Sequence, residues 1–473
     1  MIRRGLMRRA YNKGNWEKAR YHAFKIVEQP KEQKLARSVI IRSYWNEREY
    51  EQVVTYANKW EDLKFHNYLE KAIDQLFLLR QKGQKIGINL DEYSLQRYVD
   101  LQKSQPKPKN EFNWNEENMT RNFSQEEDRI WFRYPEGYCY WDMPKGYKLQ
   151  STHSSLLELT AELLLSPWHP LTKKPFTQNR ELGLNPSLSF SAGTDSTAAA
   201  LLLPQDTILG YHKRSFESQL KHDNAQRLIN FLNKEQNREI LTVDSNHELI
   251  RTYKNNPLGF STDLACASHL ILMADFLNIG GIAFGMPLDN TWLWKGRTFR
   301  SFETSDYFQY WSERFFSAGL DLILPIAGIS EAGAMKICQQ SGLMPYLNSC
   351  LRSRGGDGCG ECWKCFLKNG PLGRIYDFNS REIQTFLNRR PIPTATHALW
   401  TIKTLNLNSK VSKDLHPLLE MDLSWWVGVY PPAKQILPKR WRKEIWDKTQ
   451  HYLENMPEPY SVEKVNLFND LEE

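Results

Sequence analysis

The chain has 473 residues, room for two to four units if each takes ~100–200 residues. Hydrophobic residues make up 41% and aromatics 12%, which argues against disorder, and a net charge of +7 suits a polyanionic substrate while permitting RNA contact without demanding it. No apolar run reaches the ~18–20 residues of a spanning helix, and no long apolar stretch follows the basic start Met1–Arg9, so the expectation is a cytoplasmic protein with no membrane partner.

Residues 1–102 read as a helical region. Tyr11, Trp16, Ala19 and Ala23 are answered 33–34 residues later by Tyr44, Tyr50, Val53 and Ala57, and Gly14 marks a turn. This is a weak tetratricopeptide-type pair, in which small residues let helices pack closely. A third helix is predicted over Tyr68–Arg80. Helices of this type commonly bind protein partners, and a generic helical cap is the plainer reading.

Residues 103–184 read as a linker followed by a hairpin and helix. The stretch 103–125, opening Lys103-Ser104-Gln105-Pro106, is polar and Pro-bearing. Arg129–Tyr134 and Tyr138–Trp141 are aromatic runs flanking Pro135-Glu136-Gly137, which predicts a β-hairpin. Ser154–Leu165 is an apolar helix candidate.

From about Asn185 strands alternate with helices. Strands are predicted at Ser187–Ser191, Thr207–His212, Arg238–Asp244 and Gly281–Gly285. Helices are predicted from Thr197–Leu203, over Glu217–Asn233 and over Thr262–Asn278. Such alternation means an α/β fold with a mostly parallel sheet, whose ligands sit beyond the carboxyl ends of the strands.

Within this region, 185–375, the sharpest local signal is Ser191-Ala192-Gly193-Thr194-Asp195-Ser196-Thr197, after an apolar strand and opening an apolar helix. Small residues let the backbone turn tightly, and the amides and dipole of the helix start favour an anion. The hydroxyls of Ser191, Ser196 and Thr197 can add hydrogen bonds to phosphate oxygens. Asp195 repels a bare phosphate, so its sensible roles are to hold Mg2+ or to orient its neighbours. Ala192 requires a backbone angle open to ordinary residues, which predicts a slightly reshaped turn. The bland alternative is a polar helix cap.

Seven cysteines are present, and Cys350, Cys359, Cys362 and Cys365 fall within sixteen residues. Their C-x8-C-x2-C-x2-C spacing, with glycines around Gly355-Gly356-Asp357-Gly358, suits a tetrahedral Zn2+ with Zn–S arms of ~2.3 Å. Four thiolates close the coordination sphere, so the metal is structural. An iron–sulfur cluster takes the same ligands. Cys139, Cys266 and Cys338 read as buried apolar residues.

Residues 376–473 are read as helical and Trp-rich, with Trp400, Trp425, Trp426, Trp441 and Trp446. Lys439-Arg440-Trp441-Arg442-Lys443 interleaves basic and aromatic residues, a pattern that suits RNA stacking or a helix with a solvated basic face.

The loop, Leu324-Pro325-Ile326, and Ser349-Cys350 with Cys359-Gly360-Glu361-Cys362-Trp363-Lys364-Cys365 resemble, in that order, the hallmarks of the PP-loop ATP pyrophosphatase superfamily. The likeness is to 7-cyano-7-deazaguanine synthase, over about 190 of the 473 residues. It implies a parallel-sheet PP-loop core, adenine nucleotide alpha hydrolase-like, with helical extensions. It implies ATP, Mg2+ and Zn2+ as cofactors and a small-molecule acid as substrate. Residues 191–197 would bind the nucleotide, with Asp195 and Ser196 in catalytic roles. The carboxylate would be adenylated with release of pyrophosphate, then joined to ammonia or an amine. Gly210–Arg214 and Gly285–Asp289 would share the same sheet edge.

Asp289–Arg297 departs from the family's substrate-recognition stretch, and Glu331 stands where the family offers a lysine to the phosphates. Lys336, Lys295, Arg297 and Arg300 are the candidates for the missing cation. Three other readings stay open: a sugar amidotransferase, a tRNA-modifying enzyme gripping RNA through the basic tail, and an inactive nucleotide-binding scaffold. A thiolating enzyme would need Cys266 or Cys338 accessible.

Overall fold

The computed structural model describes residues 2–60, 65–81, 84–90, 93, 104–216, 222–254, 256, 258–350 and 357–467. The predicted linker residue Lys103, the opening 217–221 of the predicted helix Glu217–Asn233, and Gly355-Gly356 lie outside the described residues. The chain divides into two compact units, Met1–Lys109 with Glu248–Gly259, and Asn110–His247 with Phe260–Glu473.

In the first unit, helices Ile2–Asn12, Trp16–Phe24, Gln33–Asn46, Tyr50–Trp60 and His66–Gln81 pack each upon the next. Ala19, Ala23, Val53 and Ala57 are all buried, so the small residues of the 33–34-residue spacing lie in the seams. Asn15 caps the second helix by accepting from the Lys18 amide, which satisfies one donor that a helix start leaves over. The predicted helix at Tyr68–Arg80 falls within His66–Gln81.

The second unit is built on an eight-stranded sheet. Its strands are β1 (Phe123–Glu126), β2 (Arg129–Tyr134), β3 (Gly137–Asp142), β4 (Asn185–Ser189), β5 (Ile208–Arg214), β6 (Ile240–Ser245), β7 (Ile279–Phe284) and β10 (Asp321–Ile323). A separate ribbon pairs β8 (Leu293–Trp294) with β9 (Thr298–Phe299). The sheet order is β1-β2-β3-β6-β5-β4-β7-β10. The run from β6 to β10 is parallel, and β1, β2 and β3 are antiparallel. Helices Ser154–Leu165, Thr194–Leu202, Asp223–Glu235, Asp306–Ser317 and Glu331–Gln340 complete the mixed α/β architecture.

Two sequence expectations need correction. The predicted linker 103–125 ends early, because Met119–Asn122 forms a 3-10 turn and β1 starts at Phe123. The predicted aromatic hairpin is present as β2 and β3 and joins the parallel sheet. It extends that sheet through Trp141 opposite Ser245, and burial of Trp131, Phe132, Tyr134 and Trp141 favours the junction. The helix predicted over Thr262–Asn278 is cut to a 3-10 turn at Ala265–Ala267 and a short helix at Ser268–Leu272. The following residues to Asn278 are held in turns, where side chains cap the carbonyls: Arg180 Nη2 donates to Ala274 and Ile279, and Asn185 Nδ2 to Leu277.

The C-terminal stretch contains helices Arg381–Leu387, Ala395–Thr404 and Lys439–Tyr452. Its tryptophans serve the core: Trp425, Trp426 and Trp441 are buried. Trp441 Nε1 donates to Asp321 Oδ2 at 3.0 Å, and Arg440 donates to the carbonyls of Gly183 and Leu184. Trp441 therefore packs against β10 and presents no open stacking face, while Lys439, Arg440 and Lys443 stay exposed. No described helix is long and apolar enough to cross a membrane.

Candidate functional site

Strand β4 lies between β5 and β7. The chain crosses from β4 to β5 on one side and later reaches β7 on the other. The carboxyl end of β4 is therefore the topological switch point, where an open parallel sheet leaves a crevice. β4 delivers Phe190, then the turn Ser191–Gly193, then the helix Thr194–Leu202. At the end of β7, a Cβ on Gly285 would sit 2.8 Å from the Ser196 amide nitrogen and 2.9 Å from the Asp195 carbonyl carbon. Only glycine lets the neighbouring strand end approach the helix start so closely.

Side chains staple the turn from within. Ser196 Oγ accepts from the Ser191 amide at 3.2 Å and lies 3.0 Å from Ser191 Oγ. It also donates to the Gly193 carbonyl at 3.2 Å. Ser191 Oγ accepts from the Gly193 amide at 3.4 Å. Ser191 is exposed and Gly193 and Asp195 are partly so, while Ala192, Thr194, Ser196 and Thr197 are buried. The turn thus shows every other residue to solvent. Thr197 Oγ1 is buried with no hydrogen-bond partner among the described residues.

Ala192 overturns one expectation. Its φ is 55°, in the left-handed region, so the alanine adopts the conformation a glycine would take and the turn is not reshaped to suit it. An ordinary residue there costs about 1–2 kcal/mol. The strain is held because Ala192 is buried and Ser191 and Ser196 lock the turn on either side.

Among the described residues, the ammonium hydrogen-bonded to this loop is that of Lys368, which is not one of the four expected. Lys368 Nζ donates to Asp195 Oδ2 at 2.9 Å and to Oδ1 at 3.1 Å. It also lies 3.5 Å from Glu331 Oε2. Arg300 is spent on the carbonyls of Asn290 and Thr291, and Lys295 and Arg297 lie over the Trp294 ring. Lys368 is buried and its ammonium is held above the usual lysine range. Burial lowers it, but the charges of Asp195 and Glu331 outweigh that.

Behind Lys368 the network continues into the core. Glu331 opens the helix Glu331–Gln340, capped by Ser330, whose hydroxyl accepts from the Gly333 amide. The Glu331 amide donates to Asp289 Oδ2 at 3.1 Å. His397 Nε2 lies 3.7 Å from Glu331 Oε2 and 3.2 Å from the Leu367 carbonyl. Trp426 Nε1 donates to His397 Nδ1 at 3.2 Å, which places the imidazole proton on Nε2. Burial, then repulsion from Glu331, pushes the Asp289 carboxyl well above the usual range. Burial pushes Glu331 up, but the charge of Lys368 outweighs it and holds Glu331 below its usual range. The environment thus favours the protonated form of Asp289 and the ionised form of Glu331.

The cysteine module touches the loop from both ends. Cys350, Cys359, Cys362 and Cys365 place their sulfurs all within 4.8 Å of one another. The measured Sγ–Sγ separations include 3.5 Å for Cys362–Cys365, and 3.9 Å for both Cys350–Cys362 and Cys359–Cys365. A tetrahedron with arms of ~2.3 Å has edges of about 3.8 Å, so the four thiols can hold a single metal ion such as zinc. The Cys359 amide donates to Cys350 Sγ at 3.3 Å. A Cβ on Gly358 would fall 2.5 Å from Asn369 Nδ2 and 3.3 Å from Cys365 Sγ, so glycine lets the knuckle close. Before Cys350, Ser349 Oγ accepts from the Thr194 amide at 3.2 Å and lies 2.6 Å from Thr194 Oγ1. After Cys365, Lys368 reaches Asp195.

The structure therefore brings residues 191–197 to the switch point and the four cysteines to one cluster. It adds Lys368 and His397, which sequence reasoning did not assign to the site, and joins to them Ser349, read in the motif with Cys350, and Asp289, expected at the same sheet edge. Lys368 follows Cys365 by three residues, a spacing that by itself does not point its side chain at the loop. Cys338 is buried under the loop with its thiol 3.5 Å from the Thr194 carbonyl, and burial pushes that thiol up. Cys266, expected to be buried, is half-exposed and donates to the Asp263 carbonyl.

Residues 310–466 match the family described as "Family of unknown function (DUF6395)". No curated protein and no solved structure matches the chain.

Proposed function

We propose that this chain is an ATP-dependent ligase or synthase of the PP-loop type. It would adenylate a carboxylate with release of pyrophosphate and join the acyl group to ammonia or an amine. The observation that carries the reading is the Ser191–Ser196 turn at the switch point of a parallel sheet, with Ser191, Gly193 and Asp195 reaching solvent. A helix start in that position favours an anion, and the sheet edge leaves space for one.

In this reading a carboxylate oxygen attacks the α-phosphorus of ATP. The bond to the β-phosphate bridging oxygen breaks and pyrophosphate leaves. The amine nitrogen then attacks the acyl carbon, AMP departs, and the nitrogen loses its extra proton. The protein supplies position and charge. The turn's backbone and the Ser191 and Ser196 hydroxyls hold the pyrophosphate portion. Asp195, released from Lys368, is the residue suited to Mg2+, which would screen the phosphate charge when bound. Zn2+ in the four-cysteine cluster would be structural, since four thiolates leave no open position.

The test is pyrophosphate release from ATP across a panel of carboxylates, with Asp195→Ala as control. Release that depends on one acid and is lost in the variant supports the proposal. ATP bound without turnover on any acid would favour a second reading, a nucleotide-binding scaffold. Two observations lean toward that reading: Asp195 is tied by Lys368, and Glu331 stands at the neighbouring helix start.

A further inference from the structure

We infer that Lys368 is the cation that meets the nucleotide's phosphate chain, so that phosphate binding depends on the metal-holding cysteine segment. The inference rests on the nucleotide-binding reading above.

The loop itself is poor in positive charge: Ser189–Thr197 contains no lysine or arginine. A triphosphate brings several negative charges to a turn that already carries Asp195. Helix-end amides offset only about half a unit charge. A cation must come from elsewhere in the fold, and among the described residues the ammonium hydrogen-bonded to the loop is that of Lys368. Its three donors are directed at Asp195 and toward Glu331, 3.5 Å away. Asp195 is partly exposed in the first helical turn, so an arriving phosphate can take its place against Nζ while Glu331 keeps the lysine in position.

Lys368, on the segment that follows Cys362 and Cys365, thus approaches the loop from one side, while Ser349, next to Cys350, holds Thr194 from the other. The cysteine cluster fixes both approaches. When the four thiols are not drawn together, Lys368 and Ser349 lose the common anchor that aims them.

The test is calorimetric titration of the full chain with ATP, AMP and inorganic pyrophosphate, with bound zinc measured by elemental mass spectrometry. Lys368→Met is expected to weaken ATP and pyrophosphate about tenfold, the scale of one charge-assisted hydrogen bond, while AMP changes less than about threefold. Zinc content stays at the wild-type level. Moving the charge in Lys368→Met/Glu331→Lys is expected to recover most of the lost affinity, which separates a charge role from a folding defect. Stripping the metal is expected to weaken ATP at least as much as Lys368→Met. The inference is overturned if Lys368→Met or the stripped chain binds ATP as the wild type does. A wild-type chain that binds neither ATP nor pyrophosphate overturns the function proposed above as well, so the two failures look different.

Discussion

Asp289 Oδ2 accepts the backbone amide of Glu331 at 3.1 Å, which places two carboxyl groups at the head of one helix with Lys368 on one side and, among the described residues, no hydrogen-bond partner for Asp289 Oδ1. Like charges this close and this buried do not both ionise, and the structure divides the roles by partner. Glu331 has the cation, and Asp289 faces a backbone amide.

The consequence is a stability that depends on pH in a defined direction. Asp289 is protonated when folded and ionised when unfolded, so between the usual carboxylate range and its raised folded value stability falls as pH rises. The slope is up to ~1.4 kcal/mol per pH unit. Asp289→Asn keeps an acceptor for the Glu331 amide and removes the titration. Urea unfolding between pH 4 and 7 is expected to show the variant gaining on the wild type as pH rises. A difference that stays constant across that range would sink the assignment.

A second pH dependence acts from the acid side. His212 and His247 lie with ring centroids 4.5 Å apart and His269 lies 6.5 Å from His212; His247 and His269 are fully buried and His212 is partly so. Burial pushes His247 down to about 3 and His269 down to about 4. His212 falls well below its usual value, through burial and then repulsion from His247. Folded chains keep these rings neutral while unfolded chains protonate them below about pH 6.5, so stability drops as pH falls through that value. Acid unfolding is expected to take up about three protons in that window. His247→Phe, which preserves the stack with Trp141 and Phe260, is expected to reduce the uptake by one.

Ala192→Gly tests the strained turn. Relief of the left-handed alanine gives back about 1–2 kcal/mol, and the added freedom of the unfolded chain takes away about 0.5–1. A net stabilisation of about 0.5 kcal/mol in chemical denaturation is expected. Destabilisation by more than about 1 kcal/mol would mean that the buried methyl contributes more than the strain removes.

The cysteine cluster predicts about one zinc per chain in purified protein. Cys362→Ser is expected to lose that metal and to lower the thermal unfolding temperature, because a structural metal contributes directly to folding. A variant that keeps full zinc would show that the four sulfurs do not share one ion.

Local chemistry was readable without coordinates wherever it is carried by neighbours in the chain. The loop 191–197 needs small residues and hydroxyls in succession, and the knuckle Cys359–Cys365 needs thiols two residues apart, so both announce themselves. The strand–helix alternation from Asn185 onward announced a parallel sheet for the same reason, since hydrophobic period is local. The contacts that give the site its charge are not local. Asp195 and Lys368 are 173 residues apart, and Asp289 and Glu331 are 42 apart.

Nothing in the spacing could say that Lys368, not Lys336 or Arg300, faces the loop, because that depends on which way the cysteine knuckle is turned. Nor could it say that Ala192 would accept a left-handed angle, or that the aromatic hairpin would continue the parallel sheet through Trp141 and Ser245. Residue order settles which chemical groups exist and which short turns they can make. The folded chain alone decides which charges meet and which carboxyl keeps its proton, because those are set by burial and by partners brought from far along the sequence.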